Sequence, residues 1–153
     1  MKQDANPNLP VFRPGNEGLQ KMLGKLEAQI MEAIWLAEGP VSVEEVREAL
    51  AQTGKEAAYT TIMTTLSRLY TKGLLSREMK GKAYYYTARV NRRELTSNVT
   101  KQVIDGLLTT FAEPAMAYFV EALSDDHPDK LDALAELIEK RKQAQAANRK
   151  PER

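Results

Sequence analysis

Threonine is the residue type whose spacing most suggests chemistry in this sequence. Thr60, Thr61, Thr64 and Thr65 fill four of six consecutive positions, and Ser67, Arg68, Thr71 and Lys72 follow. Advancing about 100° per residue on a helix gathers all eight on one polar arc. Tyr59, Ile62, Met63, Leu66, Leu69 and Tyr70 fall on the opposite arc, predicted to pack inward. β-Branched residues lose side-chain freedom against the preceding turn, so something other than helix propensity accounts for the threonines. Short hydroxyls and methyl groups beside a guanidinium suit a helix laid in the major groove of double-stranded DNA. Hydroxyls bond phosphates or base edges, a threonine methyl meets the thymine methyl, and Arg68 reaches a guanine edge or a phosphate. The plain alternative is a solvated helix face that happens to be rich in threonine.

A second basic group follows closely. After Gly73 the period drops from helical to about two, through Leu74 to Met79, then Lys80-Gly81-Lys82, then Ala83 to Thr87. That pattern predicts a hairpin. Arg77, Lys80 and Lys82 would sit on or near its tip, able to touch flanking phosphates. Alternation puts Tyr84 and Tyr86 on one face and Tyr85 on the other, so at least one of them is expected in the core. Thr60, Thr61, Thr64, Ser67, Arg68, Lys72, Arg77, Lys80 and Lys82 form the expected DNA-binding set.

Other chemistry finds little support. The chain of 153 residues has no Cys and one His, which removes thiolate metal sites, disulfides and cysteine nucleophiles. Asp125, Asp126, His127 and Asp129 resemble metal ligands, but acids and a capping side chain are expected where a helix begins. There is no phosphate-binding glycine loop, no nucleophile elbow and no paired acid and base. An enzyme, a metal and a cofactor are therefore not expected. With no uninterrupted apolar run near membrane-span length and no basic-then-apolar leader, the expected location is the cytoplasm, without membrane insertion.

The net charge of +1 conceals opposed blocks. Residues 1–54 hold five bases and eight acids, and residues 55–93 hold nine bases and two acids, a net of +7. Residues 94–139 hold two bases and ten acids, a net of −8, and residues 140–153 hold six bases and one acid. A basic block over the threonine helix and the hairpin, followed by an acidic one, suggests a polyanion-binding domain joined to one employed differently.

The elements that position these groups are legible in outline. Residues 1–20, with three prolines, two glycines and no period, read as a poorly ordered arm. Leu23, Leu26, Ile30, Ile34 and Ala37 recur at helical steps until Gly39-Pro40, with Met31 and Trp35 flanking the stripe as core packing. Ser42-Val43-Glu44-Glu45 is a capping box opening a second helix, with Val43, Val46 and Leu50 on its buried side. A third helix spans about Tyr59 to Lys72 and stops at Gly73. Three helices and a hairpin in this order predict a winged helix-turn-helix over residues 21–90, in a chain that is mainly α with a small β-hairpin.

The order of these pieces resembles a known family. Leu23-Gly24-Lys25-Leu26-Glu27, Met31-Glu32-Ala33-Ile34-Trp35, Val41 to Val46, Tyr59 to Leu69, Lys72-Gly73-Leu74-Leu75 and Gly81 to Tyr86 together look like the penicillinase repressor family, over about Leu23 to Leu123. The resemblance implies a dimeric transcriptional repressor with a C-terminal helical dimerisation domain, binding dyad operators of TACA/TGTA type. Copper-responsive members carry a cysteine-rich metal motif, which a chain without Cys lacks. In β-lactam-responsive members a membrane sensor-protease system relieves repression by cleavage at an Asn-Phe bond. Here Asn98-Val99 is the nearest candidate, without the Phe.

Residues 91–145 read as that helical domain. Leu95, Val99, Val103, Ile104, Leu107, Leu108 and Phe111 start a helix whose apolar arc is too wide for one neighbour, and Gly106 weakens it. Pro114 opens a second helix with Met116, Phe119, Val120 and Leu123, and Pro128 a third with Leu131, Leu134, Leu137 and Ile138. So small a unit buries little surface alone, and a homodimer of two-fold symmetry is the economical solution. Leu95, Val99, Val103, Leu107, Phe111, Met116, Phe119, Val120, Leu123, Leu134 and Ile138 are the expected dimerisation residues. Residues 146–153 read as a basic tail. The reading that competes with a repressor is a winged-helix protein-interaction module without a DNA-binding duty.

Overall fold

The computed structural model describes residue 12 and residues 18–149. The N-terminal arm and the basic tail lie largely outside the described residues. The chain divides into two compact units, Met1–Val103 and Ile104–Arg153.

In the first unit a 3-10 turn, Gly18–Lys21, leads into helix α1, Lys25–Leu36. Strand β1, Val41–Ser42, runs directly into helix α2, Val43–Gln52, and helix α3 covers Tyr59–Thr71. Strands β2, Leu75–Lys80, and β3, Ala83–Ala88, form the hairpin. The sheet has three strands in the order β1-β3-β2, all antiparallel, with Val41 opposite Tyr86 and Arg77 opposite Tyr86 on its other side. The first strand has no trace in hydrophobic patterning because two residues cannot show a period of two. Pro40 precedes it, where a missing N–H does no harm.

The turns and caps follow from local chemistry. The Ser42 hydroxyl accepts from the Glu45 amide at 3.2 Å, and the Glu45 carboxylate accepts from the Ser42 amide at 2.7 Å. The Ser42 backbone bond, then the Ser42 hydroxyl, hold the Glu45 carboxyl below its ordinary value. Gly73 and Gly81 have φ of +80° and +64°, a left-handed conformation that favours glycine after α3 and at the hairpin turn.

One core closes this unit. Leu23, Ile30 and Met31 meet Val46 and Leu50 of α2, Ile62, Leu66 and Leu69 of α3, and Leu75 and Tyr86 of the sheet. Burying each such side chain contributes about 1.5–3 kcal/mol. Trp35 donates its indole N–H to the Val90 carbonyl at 2.8 Å, and Arg92 pairs with Glu32, fastening the chain after β3 to α1.

Helix α4, Arg92–Asp126, is capped by Asn91, whose side chain accepts from the Glu94 amide at 2.8 Å. Its opening turns belong to the first unit: Leu95 and Val99 are 1% and 0% exposed within that core, and Val103 packs against it. Leu95 and Val99, expected on a dimer face, are thus enclosed within their own chain, and Val103 is half-buried beside them. The helical period shows that their side is buried but not what buries it.

In the second unit, Phe111 has non-helical angles (φ −130°, ψ 39°), so α4 is two helices meeting there. Pro114 falls in the first turn of the later one, where its missing N–H is harmless. Helix α5 spans Pro128–Asn148, so residues 146–148, expected in the tail, are helical. Among the described residues from 104 to 149, none is buried. By length and composition alone α4 would suffice to cross a membrane. The chain kink and the charges of Asp105 and Glu113 interrupt it.

Candidate nucleic-acid interface

Helix α3 is anchored by one narrow stripe. Ile62, Leu66 and Leu69 are fully buried, and Thr65 joins them at 6% exposure. Thr65 reaches the interior because its hydroxyl donates to the Thr61 carbonyl at 2.8 Å, leaving the methyl as an apolar surface. Tyr59, Met63 and Tyr70 are half exposed, against the expectation that the whole apolar arc packs inward. An angular projection gives direction but not the width of the surface that receives the helix.

Thr60, Thr61, Thr64 and Arg68 are exposed together on the outer face, around a shallow depression of about 260 Å³. Ser67 is half-buried beside them. The Thr64 hydroxyl donates to the Thr60 carbonyl at 2.9 Å, and Thr71 does the same to Ser67 at 3.0 Å. Such bonds fix the side-chain rotamer and use the hydroxyl proton within the helix. Toward a ligand, Thr64 therefore offers oxygen lone pairs and a methyl group, while Arg68 offers donors. Adenine and cytosine amino groups, the thymine methyl and guanine acceptors are complementary to that set.

The other predicted bases divide. Lys80 and Lys82 are exposed at the end of the hairpin, with Lys80 Nζ 5.4 Å from the centre of the Tyr85 ring. A hollow of about 300 Å³ lies where Lys82 and Tyr84 of the hairpin meet Tyr59 and Met63 of α3, and its remaining wall includes Ser42, Val43 and Glu44 at the start of α2. Lys72 is instead paired with Glu27 at 2.6 Å, and the other oxygen of that carboxylate accepts from the Gly24 amide at 3.1 Å. The Arg77 guanidinium carbon lies 4.1 Å from the Tyr70 ring centre and 4.2 Å from that of Tyr84. Glu27 and Tyr70 escape a sequence reading, since each meets its partner through tertiary packing. Tyr84 was within reach of it, lying on the Arg77 face of the hairpin.

Two other predicted features take ordinary places. His127 caps α5 through its carbonyl, and among the described residues no group of three or more acids, His or Cys could hold a metal. The Asn98-Val99 bond lies inside α4 with the Val99 side chain wholly buried.

Comparison with known proteins finds relatives over most of the chain. The pattern of the family described as "Penicillinase repressor" matches residues 23–140. The transcriptional regulator BlaI of Mycobacterium tuberculosis, in strains CDC 1551 and H37Rv, is 35% identical over 120 residues, covering 75% of this chain and 84% of that protein. A solved structure described as the DNA binding domain of the repressor BlaI aligns at 25% identity, covering 55% of this chain and 92% of that one, with a TM-score of 0.40.

Proposed function

Because the chain belongs to the penicillinase repressor family, we propose that it is a sequence-specific DNA-binding transcriptional repressor that reads a dyad operator as a homodimer. The observation that carries this reading is the exposed Thr60, Thr61, Thr64 and Arg68 face, on a helix whose Tyr59 and Met63 share a hollow with exposed Lys82 of the hairpin, where Lys80 is exposed too. Arg68 and the threonines supply base contacts, and the two lysines supply phosphate contacts. The protein acts in the cytoplasm, where the operator is, without entering a membrane.

The second unit supports the dimer. It has no buried residue of its own among those described, and Ile104, Leu107, Leu108, Ala115, Met116 and Phe119 line an apolar groove of about 210 Å³. An apolar surface left open in this way marks an interface, and a second copy with two-fold symmetry covers both surfaces at once. Two reading helices then address half-sites one helical turn, or a multiple of it, apart. The acids of residues 94–139 keep that part away from DNA. Relief of repression by a membrane sensor-protease at Asn98-Val99 requires α4 to unwind first, since a protease binds extended chain and Val99 is enclosed.

Footprinting on the protein's own upstream region tests the reading. The expected result is a protected dyad with affinity that falls steeply as salt rises, through counterion release. Replacing Arg68 by Ala is expected to cost about 1–3 kcal/mol and relax selectivity at one base pair per half-site. Equal binding to promoter and bulk DNA would sink the proposal and leave a protein-interaction module.

A further inference from the structure

We propose that Arg77 is a positioning residue, clamping the hairpin to the reading helix through Tyr70 and Tyr84, and that its charge does not meet a phosphate. The inference rests on the DNA-binding reading above. Its geometry is independent of it. Tyr70 comes from the last turn of α3, Tyr84 from β3 and Arg77 from β2, so three elements converge on one guanidinium. Both ring centres lie well inside the roughly 6 Å within which a cation is held by an aromatic face. Tyr84 in turn leans on Tyr86, centre to centre 6.4 Å, and Tyr86 is 1% exposed in the core. The chain of contacts therefore runs from the core, through Tyr84 and Arg77, to the end of α3.

That end is where orientation matters. Lys80 and Lys82 lie three and five residues beyond Arg77 at the hairpin tip, so a small change of hairpin angle displaces both. A planar guanidinium can lie against a ring, whereas an ammonium is a compact, strongly hydrated point charge. Lysine at position 77 keeps the charge and loses the clamp, which separates the two roles.

The test measures binding of the full chain to a duplex that the wild-type protein selects from a random-sequence pool, over a range of salt. The positioning role predicts that R77K and Tyr84→Leu each weaken binding about tenfold. Each should also lower the salt slope by as much as Lys80→Gln and Lys82→Gln together. Tyr84→Phe keeps the ring and should match wild type. In the K80Q/K82Q background, R77K should add nothing, the non-additivity expected of groups acting through one another. An R77K protein with wild-type affinity and slope would overturn the proposal, as would R77Q losing one phosphate contact while Tyr84→Leu loses none. Tyr70→Leu, at a half-exposed position, serves if Tyr84→Leu does not fold.

A wild-type chain that selects no sequence would refute the DNA reading alone. Hydrogen exchange of the β2 and β3 amides in DNA-free protein then decides the clamp. Faster exchange in R77K and Tyr84→Leu than in Tyr84→Phe supports it, and equal rates overturn it.

Discussion

The two halves of this chain differ less in composition than in what their apolar residues meet. In the first unit the helical stripes of α1, α2 and α3 face one another and the sheet, and close a core with Leu23, Ile30, Met31, Ile62, Leu66 and Leu69 fully enclosed. In the second unit Leu107, Phe111, Met116, Phe119 and Leu137 are between 45% and 60% exposed. Both halves carry apolar residues at helical spacing. Among the described residues only the first encloses its own apolar side chains, so its stability is a property of one chain.

Substitutions can break that contrast, and the largest effect is expected where α4 enters the first core. Leu95→Ala should lower the unfolding free energy by about 2–5 kcal/mol, as buried Leu truncations do, at every protein concentration in a urea titration. If Leu95 and Val99 were part of a dimer face, the midpoint of the first unit's own transition would instead rise with concentration. Phe119→Asp is expected to act the other way. Sedimentation should show the native mass halved and operator affinity reduced, while the circular dichroism of the first unit is retained. An unchanged mass would remove this surface from the interface.

Smaller effects sharpen the same comparison, because capping stabilises the first unit alone. Ser42→Ala removes the acceptor for the Glu45 amide and should cost about 1 kcal/mol, read as a shift of the urea midpoint of the first unit only. The smallest expected effect is that of pH on Glu45. Its folded pKa is lowered, by the Ser42 backbone bond first, so the stabilisation is complete above the unfolded carboxylate value and fades as pH falls through the folded one. Wild type should therefore lose slightly more stability on acidification than Glu45→Gln, because Glu45 is exposed and largely screened. Equal acid sensitivity in the two proteins would assign the bond no weight.

Much of this was legible beforehand, and the exceptions share a cause. The three helices, the Ser42 capping box, the stop at Gly73 and the glycine turn at Gly81 follow from local spacing and backbone chemistry, which a sequence displays directly. The two-residue strand Val41–Ser42 was hidden because pairing with β3 alone makes it a strand. Thr65 read as surface and is core, since an internal hydrogen bond to Thr61 makes a polar side chain apolar in effect. Lys72 and Arg77 belong to the basic block by charge, yet one faces Glu27 and the other two tyrosine rings.

By itself the sequence determined which side chains could act: a threonine and arginine face, lysines at a hairpin tip, and a charge pattern of +7 against −8 that separates a basic segment from an acidic one. These depend on residue type and on the period of a helix or strand, both local quantities. The tertiary structure decided which of those groups are turned outward and unclaimed by a neighbour. Glu27 meets Lys72 across 45 residues, and Leu95 and Val99 fill a core begun at Leu23. Such pairings are set by how surfaces of different elements fit, and no spacing along the chain encodes that fit.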